Sequence, residues 1–129
     1  MYESFYGLRE KPFSLLPDPA YLYLSKQHEM AMTLLEYSLE NKAGFCALSG
    51  PAGIGKTTLL RRLLNQMGDD VSIGSITNTH SSCGELLRWI LHAFNLTDGN
   101  QTRTGQYKIF TDYLNERYAR HQRTLLIID

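Results

Sequence analysis

Long apolar runs are absent from this 129-residue chain. No stretch approaches the ~20 residues a bilayer-spanning helix needs, so no membrane segment is expected. An excess of one charge is absent as well. Thirteen Lys and Arg offset thirteen Asp and Glu, and the formal net charge is zero. That excludes a global pull toward nucleic acid or anionic lipid and leaves only local patches. Cysteine is scarce. Cys46 and Cys83 lie far apart and match no metal or redox spacing, so they are expected to be reduced, buried thiols of a cytosolic protein. The start, "MYESFYGLRE", carries acids and lacks an apolar core segment, so it does not read as a secretory leader. Repeats and low-complexity segments are absent too.

What is present suits one soluble α/β domain. Residues 1–24 read as an extended arm packed on the domain, because Pro12, Pro17 and Pro19 oppose helix there. Residues 25–129 read as the domain itself. Ser25 is a candidate N-cap for a helix over residues 26–42, with Ala31, Leu34, Leu35, Ser38 and Leu39 on one face. "FCALS" (45–49), bounded by glycines, reads as a buried strand. A Gly-rich turn then opens into a helix, and "VSIGSIT" (71–77) reads as a second strand. "GELLRWILHAFNL" (84–96) is a helix with Leu86, Leu87, Ile90, Leu91 and Phe94 inward; its Trp89 reads as a core residue. "DGNQTRTG" (98–105) is a loop. "QYKIFTDYLNERYARH" (106–121) is a helix with Ile109, Tyr113, Leu114 and Tyr118 inward. "TLLIID" (124–129) is a third, buried strand. Strands alternating with helices imply a layered fold around a parallel sheet.

The chemistry is concentrated in "GPAGIGKT". It matches G-x-x-x-x-G-K-[ST], with Gly50, Gly55, Lys56 and Thr57 at the fixed places. Glycines let the backbone take positive φ and bring its N–H groups against phosphate oxygens. The backbone from Gly50 through Pro51, Ala52, Gly53, Ile54 and Gly55 to Lys56, Thr57 and Thr58 is therefore the candidate phosphate cradle. A helix starting near Lys56 would aim its N-terminal donors and dipole at the same anion. Lys56 would reach the β- and γ-phosphates of ATP, and the Thr57 hydroxyl would bind Mg²⁺. Thr58 supplies a second hydroxyl near the α-phosphate. Asp129, at the C-terminal end of an apolar strand, is the candidate second Mg²⁺ ligand. Lys56 and Asp129 are thus the residues assigned to the phosphoryl chemistry.

Three stretches resemble the ATPase domain of the ExeA/GspA-type secretion ATPases, a branch of the AAA+ superfamily. They are "FYGLREKPFSLLPDPAYLYLSKQHEMAMTLLEYSL", "GFCALSGPAGIGKTTLLRRLL", which carries the Walker A motif, and "TLLIID", the start of Walker B. The resemblance implies a three-layer P-loop NTPase with a parallel sheet, here cut after the Walker B strand. Its additional-strand members place a glutamate after the Walker B acid to polarise the attacking water. That residue lies beyond position 129, so nucleotide binding is expected of this chain and hydrolysis of the full-length protein. The missing additional strand would leave the 45–49 and 125–128 strands flanking an empty slot, open to a strand from another copy or to local closing-up of the sheet. The resemblance also implies a cytoplasmic domain at the inner membrane and a homo-oligomer in the full-length form. Secretion-apparatus proteins and peptidoglycan would be reached through regions outside this chain. The resemblance also makes the region around Tyr23, Leu24 and Gln27 a candidate adenine contact, although packing of the arm on the domain is the favoured reading of its aromatics.

Other features have plainer readings. Arg61 and Arg62 fit a solvated helix face, and His28 a surface position. Arg117, Arg120, His121 and Arg123 fit a helix C-terminus that favours cations; without interleaved aromatics they argue against nucleic acid. Two alternatives stay open: an ATP-dependent regulator of DNA transposition or loading, and a P-loop small-molecule kinase. The residues after 129 separate the first from a secretion ATPase. A kinase would need a substrate-binding insert and a lid arginine.

Overall fold

The computed structural model describes residues 2–13, 15, 18–77, 86–96, 99 and 102–129. In chain order the elements are α1 (Tyr2–Phe5), a 3-10 helix (Pro19–Tyr21), α2 (Lys26–Glu40), α3 (Lys56–Asn65), β1 (Val71–Ile76), α4 (Leu86–Ala93), α5 (Arg103–Ala119) and β2 (Arg123–Ile128). They fall into two compact units, Met1–Gln66 and Met67–Asp129.

In the first unit Ser25 caps α2 as expected: its backbone is extended and its hydroxyl accepts the His28 N–H at 3.4 Å. This satisfies one of the donors that a helix start leaves over. Helices α2 and α3 pack on one another. Among the described residues the buried side chains of the unit are Met32 and Leu35 from α2 and Leu59 and Leu63 from α3. Each contributes about 1.5–3 kcal/mol of hydrophobic stabilisation. The inward face of α2 is rotated from the expected one, since Leu34 is exposed and Met32 is buried. The arm also differs from a wholly extended segment. It forms the short α1 turn and a 3-10 turn with Pro19 at its first position. Proline is tolerated there because the first N–H of a helix has no intrahelical acceptor. The Tyr21 hydroxyl donates to the Glu10 carboxylate, and this bond raises the phenol's pKa above its usual value.

The expected strand at residues 45–49 is not formed. Phe45 is 86% exposed and Cys46 is exposed rather than buried. An apolar run becomes a strand only when a neighbouring backbone completes its hydrogen bonds. Among the described residues the sheet has two strands, β1 and β2, so the strand imagined on one side of the empty slot does not exist here. Cys83 lies outside the described residues.

In the second unit β1 and β2 run parallel in register from Val71↔Arg123 to Ile76↔Ile128. Backbone bonds extend the ladder at both ends: Arg123 N–H to Asp70 O and Asp129 N–H to Ile76 O, each 2.9 Å. Helix α4 packs on β1 and on α5, and α5 packs on β2. Ile76, Leu91 and Phe94 are buried. The Phe94 ring lies 5.4 Å from the Tyr113 ring and 6.1 Å from the Phe110 ring. The Tyr113 hydroxyl bonds the Ser72 hydroxyl, which ties α5 to β1. Helix α5 begins three residues before the expected start, because the Thr102 hydroxyl accepts the Gly105 N–H at 3.2 Å and caps it. Three expected core residues are exposed: Leu86 at 41%, Trp89 at 48% and Tyr118 at 82%. The strand β2 is half-buried along Thr124 to Ile127, not fully buried.

Gly74 is required by packing. A Cβ there would stand 2.7–2.9 Å from the Phe94 ring. The ring is held by two aromatic neighbours, so it has little freedom to move aside. Gly74→Ala is expected to destabilise the chain by about 1–3 kcal/mol through overpacking. Urea denaturation followed by circular dichroism measures this, and an unchanged midpoint would refute the packing account.

Candidate functional site

Residues 50–55 form an irregular loop that runs into α3. Gly53 and Gly55 take φ of 80° and 96°, values an L side chain seldom adopts. Gly50 has φ outside that region but is confined by space: a Cβ there would lie 3.3 Å from Ile54 Cγ2. The loop tightens through Ile54 N–H to Pro51 O at 3.4 Å.

Gly55 is the N-cap of α3 and makes no side-chain cap bond. The contrast with Ser25 on α2 and Thr102 on α5 is chemical. At those starts the N-cap hydroxyl accepts an orphan N–H, whereas the N-cap glycine of α3 has no side chain to offer. The first N–H groups of a helix, together with its dipole, favour an anion. Leu59 N–H to Gly55 O at 2.9 Å closes the first turn. Lys56, half-buried, folds back over the loop and donates from Nζ to Gly50 O at 2.9 Å and Pro51 O at 3.0 Å. A flexible ammonium held by two neutral carbonyls can exchange them for phosphate oxygens, which form stronger charge-assisted bonds. Thr57 is exposed and Thr58 half-buried, both in the first turn of α3.

The structure thus brings Gly50 through Thr58 together as one loop and helix start. Asp129 stands in the second unit, one residue past β2, exposed at the C-terminal edge of the parallel pair. Its N–H continues the ladder, so the strand sets the direction in which it leaves the sheet. Among the described residues no group of three His, Cys, Asp or Glu side chains could hold a metal ion. Thr57 and Asp129 each carry a hard oxygen donor of the kind Mg²⁺ takes.

One residue of the loop's surroundings was misread from the sequence. His28, expected at the surface, is half-buried, and its ring bonds Ile54 O at 2.8 Å and Ser25 Oγ at 2.6 Å. Its position three residues after an N-cap was the available signal, because the first turn of a helix points back toward whatever precedes it. The basic cluster near residue 120 is engaged internally. Arg117 lies 5.1 Å from the Tyr113 ring centroid and donates to Gln122 Oε1 at 2.7 Å. Arg120 pairs with Glu116 at 2.6 Å and Arg123 with Asp70 at 3.2 Å. An open groove of about 550 Å³ between α4 and α5 is lined by Leu86, Leu87, Ile90, Arg103, Thr104 and Tyr107.

A family model described as an AAA domain matches residues 39–129. The chain is 36% identical over 130 aligned positions to General secretion pathway protein A of Aeromonas hydrophila. The alignment takes in all of this chain and 24% of that protein, so the chain spans about a quarter of the relative's length. No solved structure matches it significantly. With a matched region that runs from the end of α2 through the glycine loop, the parallel strands and Asp129, the chain belongs to the AAA domain family and has an α/β fold.

Proposed function

We propose that this chain is the ATP-binding part of an AAA+ ATPase that powers a secretion or envelope-spanning machine. The observation that carries the reading is the start of α3: a helix without a side-chain cap, preceded by two positive-φ glycines and covered by Lys56. That arrangement suits an anion such as a polyphosphate. The similarity to General secretion pathway protein A supports the machine assigned to it. Internal engagement of Arg117, Arg120 and Arg123 weighs against a nucleic-acid partner.

In this reading the backbone of Gly50 to Thr58 binds and orients the phosphates. Lys56 leaves the carbonyls of Gly50 and Pro51 and pairs with the β- and γ-phosphate oxygens. Thr57 and Asp129 would hold Mg²⁺, which supplies charge neutralisation between the β- and γ-phosphates when bound. ATP turnover, self-association, contacts with secretion-apparatus proteins and with peptidoglycan are proposed for the full-length protein, with this domain in the cytoplasm. No described helix is long and apolar enough to cross a membrane.

Titration of the chain with a fluorescent ATP analogue, with and without Mg²⁺, tests the reading. Lys56→Ala is expected to weaken binding about ten- to hundredfold, the cost of one charge-assisted hydrogen bond. Equal affinity of wild type and Lys56→Ala would sink the assignment. Asp129→Asn is expected to remove about tenfold of the gain in affinity that Mg²⁺ brings, with Mg²⁺-free binding retained. An Asp129→Asn titration that responds to Mg²⁺ as wild type does would remove Asp129 from the metal site.

A further inference from the structure

We propose that His28 is a positioning residue for the phosphate loop, acting by holding the Ile54–Gly55 peptide in one orientation. The inference rests on the nucleotide-binding reading above and adds a residue from α2 to it. A carbonyl oxygen only accepts, so the 2.8 Å contact requires a proton on His28 Nε2. In the neutral ring Nδ1 is then an acceptor, and the Ser25 hydroxyl at 2.6 Å supplies its donor. Ser25 thereby does two things: it caps α2 and selects the imidazole tautomer.

The consequence for the loop follows from peptide geometry. None of the described peptide bonds is cis. In a planar trans peptide the C=O and N–H point to opposite sides. With Ile54 O drawn toward His28, the Gly55 N–H must point away from α2. Gly55 is also where the backbone takes φ of 96° before entering α3. Glycine leaves this peptide free to rotate, since no Cβ opposes the turn. An external hydrogen bond is therefore what selects one orientation of it. His28 Nε2 and Leu22 Cδ1 are the nearest atoms to a Cβ built on Gly55, at 3.8 and 3.9 Å. The arm's Leu22 and the α2 histidine thus close one side of this glycine. Pre-ordering one donor before ligand arrives removes an entropic cost from binding.

The test uses three variants of the 129-residue chain: His28→Ala, His28→Asn and His28→Gln. Gln carries an amide N–H as far from Cα as His Nε2. Asn reaches only as far as Nδ1, so it retains the Ser25 partner and loses Ile54. Binding of the fluorescent ATP analogue is expected to weaken about tenfold in His28→Ala and His28→Asn and to recover to within about threefold of wild type in His28→Gln. Thermal melts identify any loss that comes from unfolding. Ala and Asn variants that bind as wild type does overturn the proposal. So does a Gln variant as weak as Ala, since packing would then be the cause.

A second readout does not depend on nucleotide. In ¹⁵N–¹H spectra of the free protein the Gly53 and Gly55 amide signals are expected to move or broaden in the Ala and Asn variants and to stay near wild type in Gln. If wild type binds no nucleotide, the functional reading fails, and these signals alone decide the positioning claim. Unmoved signals in both Ala and Asn overturn it.

Discussion

Helix α3 starts at a glycine, which has no side chain to cap it, and the first unit is organised around that start. Elsewhere in the chain the same need is met locally by Ser25 and Thr102. At α3 the chain instead places glycine, whose positive φ brings the loop back over the helix start. In the proposed reading an anion binds at this helix start, and Lys56 meanwhile bonds the loop's own carbonyls. Nucleotide binding is thus proposed from the geometry of this segment as well as from a motif match.

Holding such a loop in place needs support from outside it, because glycines contribute little rigidity of their own. The support comes from two directions within the unit. Leu59 and Leu63 anchor the buried side of α3 near α2, which sets where the helix begins. His28 and Leu22 bound the loop at Gly55. The Ser25 hydroxyl links these roles, since it caps the helix that carries His28 and bonds the ring as well. The second unit is built differently. Its parallel pair is braced by Phe94, which lies against Gly74 in β1 and against Phe110 and Tyr113 from α5. That packing holds β2, and β2 delivers Asp129 to the C-terminal edge of the sheet. Parallel strands put both their C-terminal ends on that edge, which is where α/β sheets bind ligands.

Much of the candidate site was legible in the sequence because its physics is local. Gly50, Gly55, Lys56 and Thr57 dictate a turn and a helix start over a few residues, and no distant partner is required to form them. The Ser25 cap and the strands at 71–77 and 124–129 were legible for similar reasons: a hydroxyl before an amphipathic run, and apolar runs bounded by turn residues. The matched family region then agrees with the α/β reading. "FCALS" failed because a strand is a pairing, and apolar composition does not say whether a partner backbone is at hand. Leu34, Leu86, Trp89 and Tyr118 failed because the helical period allows several neighbouring faces to be apolar, and only the packed neighbours select one.

The sequence alone therefore determined the glycine-rich loop and the helix after it, the Ser25 cap, the strands at 71–77 and 124–129, and the acid at the tip of the last strand. Each depends on residue types within a turn or two of one another. Tertiary structure alone decided that β1 pairs with β2, which face of α2 is buried, and that Gly74 must leave room for Phe94. It also turned His28 from an apparent surface residue into a partner of Ile54, 26 residues away. These contacts join segments far apart in the chain, and their energies depend on geometry that no local pattern encodes.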